Sequence, residues 1–238
     1  MDLTFKQKQF NAAMDLYNSR KIYKLFGIVV SITNISMQIY LLSKVIPLSI
    51  GIAQQIGALI VAFILTDFIN GLIHMYMDIN EDYESIAGPL IANFHLHHKN
   101  PQYKRNPLAI VYFNESGSKV WLAGYLIIVL FLCNAFMLNS IVLYSLLYIA
   151  ILSSVAEVSH YLCHSSNSIV AIFLARIGLL LPKRHHAKHH LQDNMNYAFL
   201  NGVTDPLINL IAKKYSKGYK NNTDMHYANY KALNTDGR

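Results

Sequence analysis

Charge is scarce in this chain. Lys, Arg, Asp and Glu make up 14% of its 238 residues, against about 25% in an ordinary soluble domain. Hydrophobic residues make up 53%. The few charges stand at the edges of long apolar runs, as a bilayer requires and a soluble core does not. Cysteine is nearly absent: Cys133 and Cys163 form no CxxC pair, which excludes a zinc ribbon or a redox dithiol. Internal repeats and low-complexity tracts are missing too. No apolar segment precedes Phe26, so the polar start does not read as a cleavable signal peptide. The net charge is +7 with neutral histidines. Because the basic residues flank apolar runs, this charge reads as membrane orientation, and no nucleic-acid partner is expected.

Four apolar runs approach the roughly 20 residues that cross a hydrocarbon core: residues 26–46, 52–73, 120–137 and 141–158. Ser31, Thr33, Asn34, Ser36 and Gln38 give the first run a side that faces protein. Pro47 and Gly51 break the chain after it, and Asn139-Ser140 turns it between the third and fourth runs. Residues 1–24 read as a short interfacial helix, 78–119 as a polar loop, and 169–181, interrupted by Arg176, as an interfacial or re-entrant helix. From Tyr215 the chain is polar and is expected to be loosely ordered. The expected fold is an all-α integral membrane protein, one membrane-embedded domain over 1–238, with four transmembrane helices.

Charge also orients it. Of the 20 Lys and Arg residues, only Lys44 falls on the far side of a four-span topology. The positive-inside rule makes the near side cytoplasmic, with both termini there. The same topology gathers every histidine at that face, which the charge count does not require. The expected location is the inner or plasma membrane of a bacterium, or the endoplasmic reticulum of a eukaryote.

Ten of the eleven histidines fall into three groups: His74 with His95, His97 and His98; His160 with His164; and His185, His186, His189 and His190. His226 stands alone. His74 and Asp78 are four apart, as are His160 and His164, so each pair shares a helix face. In the last group two such pairs overlap. Facing helices that each offer such pairs can surround metal ions, as carboxylates do in di-iron bundles. Imidazole suits iron, zinc, copper and nickel alike. A lone histidine at a span edge is usually structural, but three groups on one face favour a metal site over a pH-sensitive surface. Two acids add to this. Asp67, Gly71, His74 and Asp78 form one helical stripe, and Glu157, His160 and His164 another. A charge deep in a span normally faces an interior and serves a function. Asp67 is therefore expected either to hold a ligating imidazole by its other N–H or to bond a neighbouring helix.

Taken in order, Asp67-Phe68, Gly71-Leu72-Ile73-His74, Asp78, Phe94, His97-His98, Pro101, His160-x3-His164, Leu181-Pro182-Lys183-Arg184-His185-His186-x2-His189-His190, Asn196-Tyr197 and Asp205-Pro206-Leu207 resemble the Kua-type lipid desaturase family. That family includes enzymes that form plasmalogen vinyl ethers and plant enzymes that act on phosphatidylglycerol palmitate. The similarity covers about residues 60–212. It implies an O2-dependent oxidoreductase with two iron ions, a membrane lipid substrate, and an electron donor such as a ferredoxin or cytochrome b5. The implied ligands are His74, Asp78, His97, His98, His160, His164, His186, His189 and His190, borne on a cytoplasmic histidine-rich helical cap. His185, as a ligand or a supporting residue, and Asp67 would act beside them. The plasmalogen-forming members carry a histidine where this chain reads Lys104-Arg105-Asn106-Pro107-Leu108, and His95 has no counterpart in them, so the lipid is left open. A lipid hydroxylase and a metal-binding or transport protein are the alternatives.

Overall fold

The computed structural model describes residues 3–99, 106–114, 119–192, 194–215 and 228–230. Among these, every regular element is helical. Helix α1 (Leu3–Ser19) is followed after one residue by α2 (Lys21–Val45). The break around Pro47 leads to α3 (Ile52–Ile79). Residues 78–119, expected to be a loop, contain α4 (Gly88–His95), a 3-10 turn (Leu96–His98) and α5 (Leu108–Asn114). The expectation failed because α4 is only 8 residues long, too short for periodicity to declare it. Then come α6 (Val120–Ala135) and α7 (Ser140–Ser165), whose N-terminus is capped when Asn139 Oδ1 accepts from Ile141 N–H at 2.8 Å. Three shorter helices end the described chain: α8 (Ile169–Arg176), α9 (Lys183–Leu191) and α10 (Asp205–Tyr215). Most of the polar tail, with His226, and residues 100–105 and 115–118 lie outside the described residues.

Helices α2, α3 and α7, of 25, 28 and 26 residues, are long and apolar enough to cross a membrane. Helix α6 is apolar but has 16 residues, about 24 Å at 1.5 Å per residue, less than a typical core of roughly 30 Å. Outward faces are apolar, with Ile32 and Ile39 of α2, Ile56 and Ile60 of α3, and Ile128 and Phe131 of α6 exposed. This is the surface a lipid solvent selects. The inner faces carry the polar groups. Ser31, Asn34 and Gln38 of α2 are buried, and Gln38 Nε2 donates to Ala150 O of α7 at 2.9 Å. Thr33 is half-buried and Ser36 exposed, so only the i, i+3, i+4 stripe turns inward.

Asn70 meets Ser153 at 3.2 Å and His74 meets His160 further along, so α3 and α7 run in the same direction. Gln38 meets Ala150 and Leu48 meets Tyr144, so α2 runs opposite to them. Helices α3 and α7 pack chiefly against each other, and their C-termini reach the same face. That face is covered by the short elements. Phe10, Ala13 and Met14 of α1 pack on Ile91, Ala92 and Leu96. Lys6 Nζ reaches Glu81 Oε2 at 3.3 Å. The loop from Asn194 to Thr204 lies against α3.

Candidate metal centre

Helix α3 presents Thr66, Asp67, Asn70, Gly71, His74 and Asp78 on one buried stripe. Helix α7 presents His160 and His164 one turn apart, with Glu157 buried a turn earlier. The 3-10 turn supplies His97 and His98, and α9 supplies His186, His189 and His190. Two groups of donors result. His97, His160, His164 and His186 form one, and His74, Asp78, His98 and His189 the other; within each group the donor atoms lie within 4.8 Å of one another.

In the first group, the Nε2 atoms of His160, His164 and His186 form a triangle with sides of 3.0, 3.0 and 3.1 Å. His190 Nε2 lies 3.1 Å from His186 Nε2. Its ring is also 4.7 Å from that of His98, so it stands between the groups. In the second group, Asp78 is the hub. Its Oδ2 is 3.1 Å from both His74 Nε2 and His189 Nε2, and its Oδ1 is 3.0 Å from His98 Nε2.

The outer nitrogens decide which way each imidazole is protonated. His74 Nδ1 faces Tyr197 O at 2.7 Å, His97 Nδ1 faces Phe94 O at 2.5 Å, and His189 Nδ1 faces Met195 O at 2.9 Å. A carbonyl only accepts, so each Nδ1 carries the proton and each Nε2 turns a bare lone pair inward. Burial holds His97 and His186 well below the usual imidazole range. Their histidine neighbours, His98 first for His97 and His160 first for His186, push the same way. Both rings are therefore neutral at pH 7. The buried His74 Nε2, His97 Nε2 and Asp78 Oδ2 make no hydrogen bond. A buried polar atom without a partner is costly, and a cation in each group would resolve them, one facing His97 Nε2 and the other facing His74 Nε2 and Asp78 Oδ2. The residues present fit a bound metal.

Two other histidines of the sequence clusters, His95 and His185, do other work. His95 is fully buried, yet its Nδ1 accepts from Tyr83 OH at 2.6 Å and its Nε2 faces Met77 O at 2.8 Å. Burial lowers its pKa to about 4, with Asp78 opposing the shift. His185 Nε2 lies 2.5 Å from Asp205 Oδ2, and Asp205 Oδ1 accepts from Ala198 N–H at 2.9 Å. Neither histidine belongs to a donor group.

Among the described residues, Asp67 takes neither an imidazole nor a neighbouring helix. Its Oδ1 accepts N–H bonds from Leu200, Asn201 and Gly202 at 2.9–3.2 Å, and its Oδ2 accepts from Thr204 N–H at 2.9 Å and Thr204 Oγ1 at 2.7 Å. Its carboxyl group sits in a nest of backbone N–H groups, and it fastens the loop that carries the Tyr197 carbonyl. Gly71 makes the close approach possible. A Cβ there would lie 2.4 Å from Ile208 Cδ1 and 3.2 Å from Ala198 Cα. Phe199 completes the packing, stacked on His160 with centroids 4.1 Å apart and 4.2 Å from His74. Sequence reasoning gave no role to Tyr197, Phe199, Met195 or Asp205. For Tyr197 and Asp205 the one signal was their place in the family-like segment after the last histidine group.

No curated protein and no solved structure matches the chain. A family model described as the lipid desaturase domain matches residues 63–213, the stretch that holds all nine donors and the loop fastened by Asp67. The chain belongs to the lipid desaturase family.

Proposed function

We propose that the protein is a membrane lipid desaturase that holds two iron ions and uses O2 to introduce a double bond into a lipid tail. The tail is either plasmanyl, giving a vinyl ether, or acyl. The observation that carries this reading is the convergence of inward-facing imidazole lone pairs and one carboxylate, in two adjoining groups, at the end of a helix bundle with a lipid-facing surface.

His97, His160, His164 and His186 would hold one ion and His74, Asp78, His98 and His189 the other, with His190 between them. Iron supplies the oxidation of unactivated C–H bonds by O2, which no side chain performs. Imidazole suits iron and zinc alike; the choice of iron rests on the lipid desaturase family to which the chain belongs.

The protein's own part is to orient and to exclude water. Carbonyls of Phe94, Tyr197 and Met195 fix three rings. Phe94, Tyr197 and Phe199 wall the centre with buried aromatic surface. The donors cluster at one end of the bundle, whereas a transport path calls for ionisable groups near the midplane in broken helices. Removing two hydrogens while O2 is reduced to two waters takes two further electrons and two protons per turnover. A donor such as a ferredoxin or cytochrome b5 would deliver the electrons at the basic face. By the positive-inside rule that face is cytoplasmic, with both termini on it and α6 completing four spans. The membrane would be the bacterial inner membrane or the eukaryotic endoplasmic reticulum.

The test is lipid mass spectrometry of cells that express the chain with an electron donor, beside the His186→Ala variant. New lipids lighter by two hydrogens are expected with the intact chain and not with the variant. Lipids heavier by one oxygen would identify a hydroxylase instead, and no new lipid would overturn the reading. Purified protein is expected to carry about two iron ions per chain; stoichiometric zinc would overturn the metal assignment.

A further inference from the structure

A cleft lies beside the donor groups, where the C-terminal half of α7 meets α8 and the start of α9. It encloses about 830 Å3, within the roughly 300–1,000 Å3 typical of small-molecule sites. Leu162, Ala171, Ile172 and Leu180 make its walls largely apolar. Three cations line it, Arg176, Lys183 and Arg184, and no carboxylate does. Arg176 ends α8, whereas Lys183 and Arg184 begin α9, so the fold brings them together from two segments. All three are exposed. Lys183 Nζ donates to Asn167 Oδ1 at 2.6 Å, and none of the three pairs with a carboxylate among the described residues.

Two further features connect the cleft to the bilayer and to the metal centre. Helix α8 exposes Ile169, Val170, Ile172 and Phe173, an apolar outer face suited to the membrane boundary. On α7, Ser159 and Cys163 line the cleft while the adjoining His160 and His164 enter the first donor group. Ser159 Oγ accepts from Leu181 N–H at 2.8 Å and donates to Leu200 O at 2.6 Å, tying the cleft wall to the loop against the metal centre. Basic residues at a membrane edge follow from topology alone. Topology does not require them to converge on an apolar cleft that holds no acid.

We infer that this cleft is the headgroup-recognition and entry site for a lipid bearing a phosphodiester. Arg176, Lys183 and Arg184 bind the phosphate oxygens, for which a guanidinium fork is well matched. The apolar walls receive the upper part of the tail, and α7 leads from there to the donor groups. The tail's destination rests on the desaturase reading; the binding itself does not.

The test measures binding to the purified full chain in neutral detergent. Four probes are used: dipalmitoyl phosphatidylglycerol, dipalmitoylglycerol with the same tails, dipalmitoyl phosphatidylcholine and inorganic phosphate. Both phospholipids are expected to bind about tenfold or more tightly than dipalmitoylglycerol. Phosphate alone, if it bound as tightly as the phospholipids, would reassign the cleft to a free anion and overturn the inference. The double variant Arg176→Gln with Arg184→Gln is expected to lose about tenfold in phospholipid affinity and to leave dipalmitoylglycerol unchanged. Lys213→Gln with Lys214→Gln removes the same charge from α10; an equal loss there would reduce the effect to surface charge and refute the site. Ala175→Trp, which fills the cleft, is expected to weaken all three lipids, and unchanged affinity would again overturn it. His186→Ala is expected to keep full lipid binding. The headgroup site can thus fail while desaturation stands, and desaturation can fail while the site stands.

Discussion

The two halves of α3 are built for opposite surroundings. Its first half exposes Ile52, Ile56, Leu59, Ile60 and Ile64. Its second half buries Thr66, Asp67, Asn70, His74 and Asp78. One helix is therefore a lipid-facing anchor for half its length and a wall of the candidate metal centre for the rest. The change comes at the turn where Gly71 lets the loop from Ala198 and the side chain of Ile208 approach. Polar side chains deep in an apolar helix are tolerable only when protein covers them and satisfies them. The covering loop does both here, since it gives its N–H groups to Asp67 and its Tyr197 carbonyl to His74.

If the second half is the metal wall, its substitutions should rank by closeness to the donors. His74→Ala removes an inward lone pair and leaves Asp78 with one contact fewer. Activity is expected to fall by at least about 100-fold, with loss of iron from the second group, read by lipid turnover and by elemental analysis of the purified chain. Retained iron and turnover would remove His74 from the centre.

Asp67→Ala comes next. It orphans four backbone N–H groups and the Thr204 hydroxyl, and the expected loss is about 3 kcal/mol of stability, seen as a lower melting temperature in detergent. Because the freed loop carries the Tyr197 carbonyl, iron should also bind about tenfold more weakly. Asp67→Asn keeps one acceptor and should recover part of both. Equal iron affinity in all three proteins would show that Asp67 only holds the fold.

Gly71→Val is a smaller insult of another kind. The Ile208 side chain can yield, but the Ala198 backbone 3.2 Å from the added Cβ cannot. Overpacking of this sort costs about 2 kcal/mol. It should displace the loop and weaken iron binding with no donor touched, which titration of the metal-free protein would measure.

Much of this contrast is legible in the sequence. The apolar runs at 26–46, 52–73, 120–137 and 141–158 each correspond to a helix, because runs of that length announce themselves. Their ends were missed where polar residues continue the helix: α3 runs on to Ile79 and α7 to Ser165, since backbone hydrogen bonding does not stop where hydropathy does. The i, i+4 pairs showed which histidines share a face, and the structure brings His74, His97, His98, His160, His164, His186, His189 and His190 together with Asp78. Spacing could not separate His185 from His186. They are neighbours about 100° apart on α9, and the distant carboxylate of Asp205 turns one of them outward. His95 likewise looks like His98 in sequence, but Tyr83 and Met77 occupy both its nitrogens. The partners of Asp67 lie 133–137 residues away and are mostly backbone N–H groups, which carry no residue-specific signal at all.

The smallest expected effect lies in the first half of α3. Ile60 is more than half exposed, so Ile60→Ala removes surface that meets lipid in both the folded protein and its membrane-inserted unfolded state. The change should cost no more than about 0.5 kcal/mol and leave iron content and turnover unchanged. Its value is as the counterpart of Gly71→Val, three turns further along the same helix, which adds carbon where Ile60→Ala removes it. If both variants strip iron equally, α3 responds as one rigid rod and its halves are not functionally distinct. If only Gly71→Val does so, the boundary between anchor and metal wall lies between them, set by the loop that Asp67 fastens and not by the span itself.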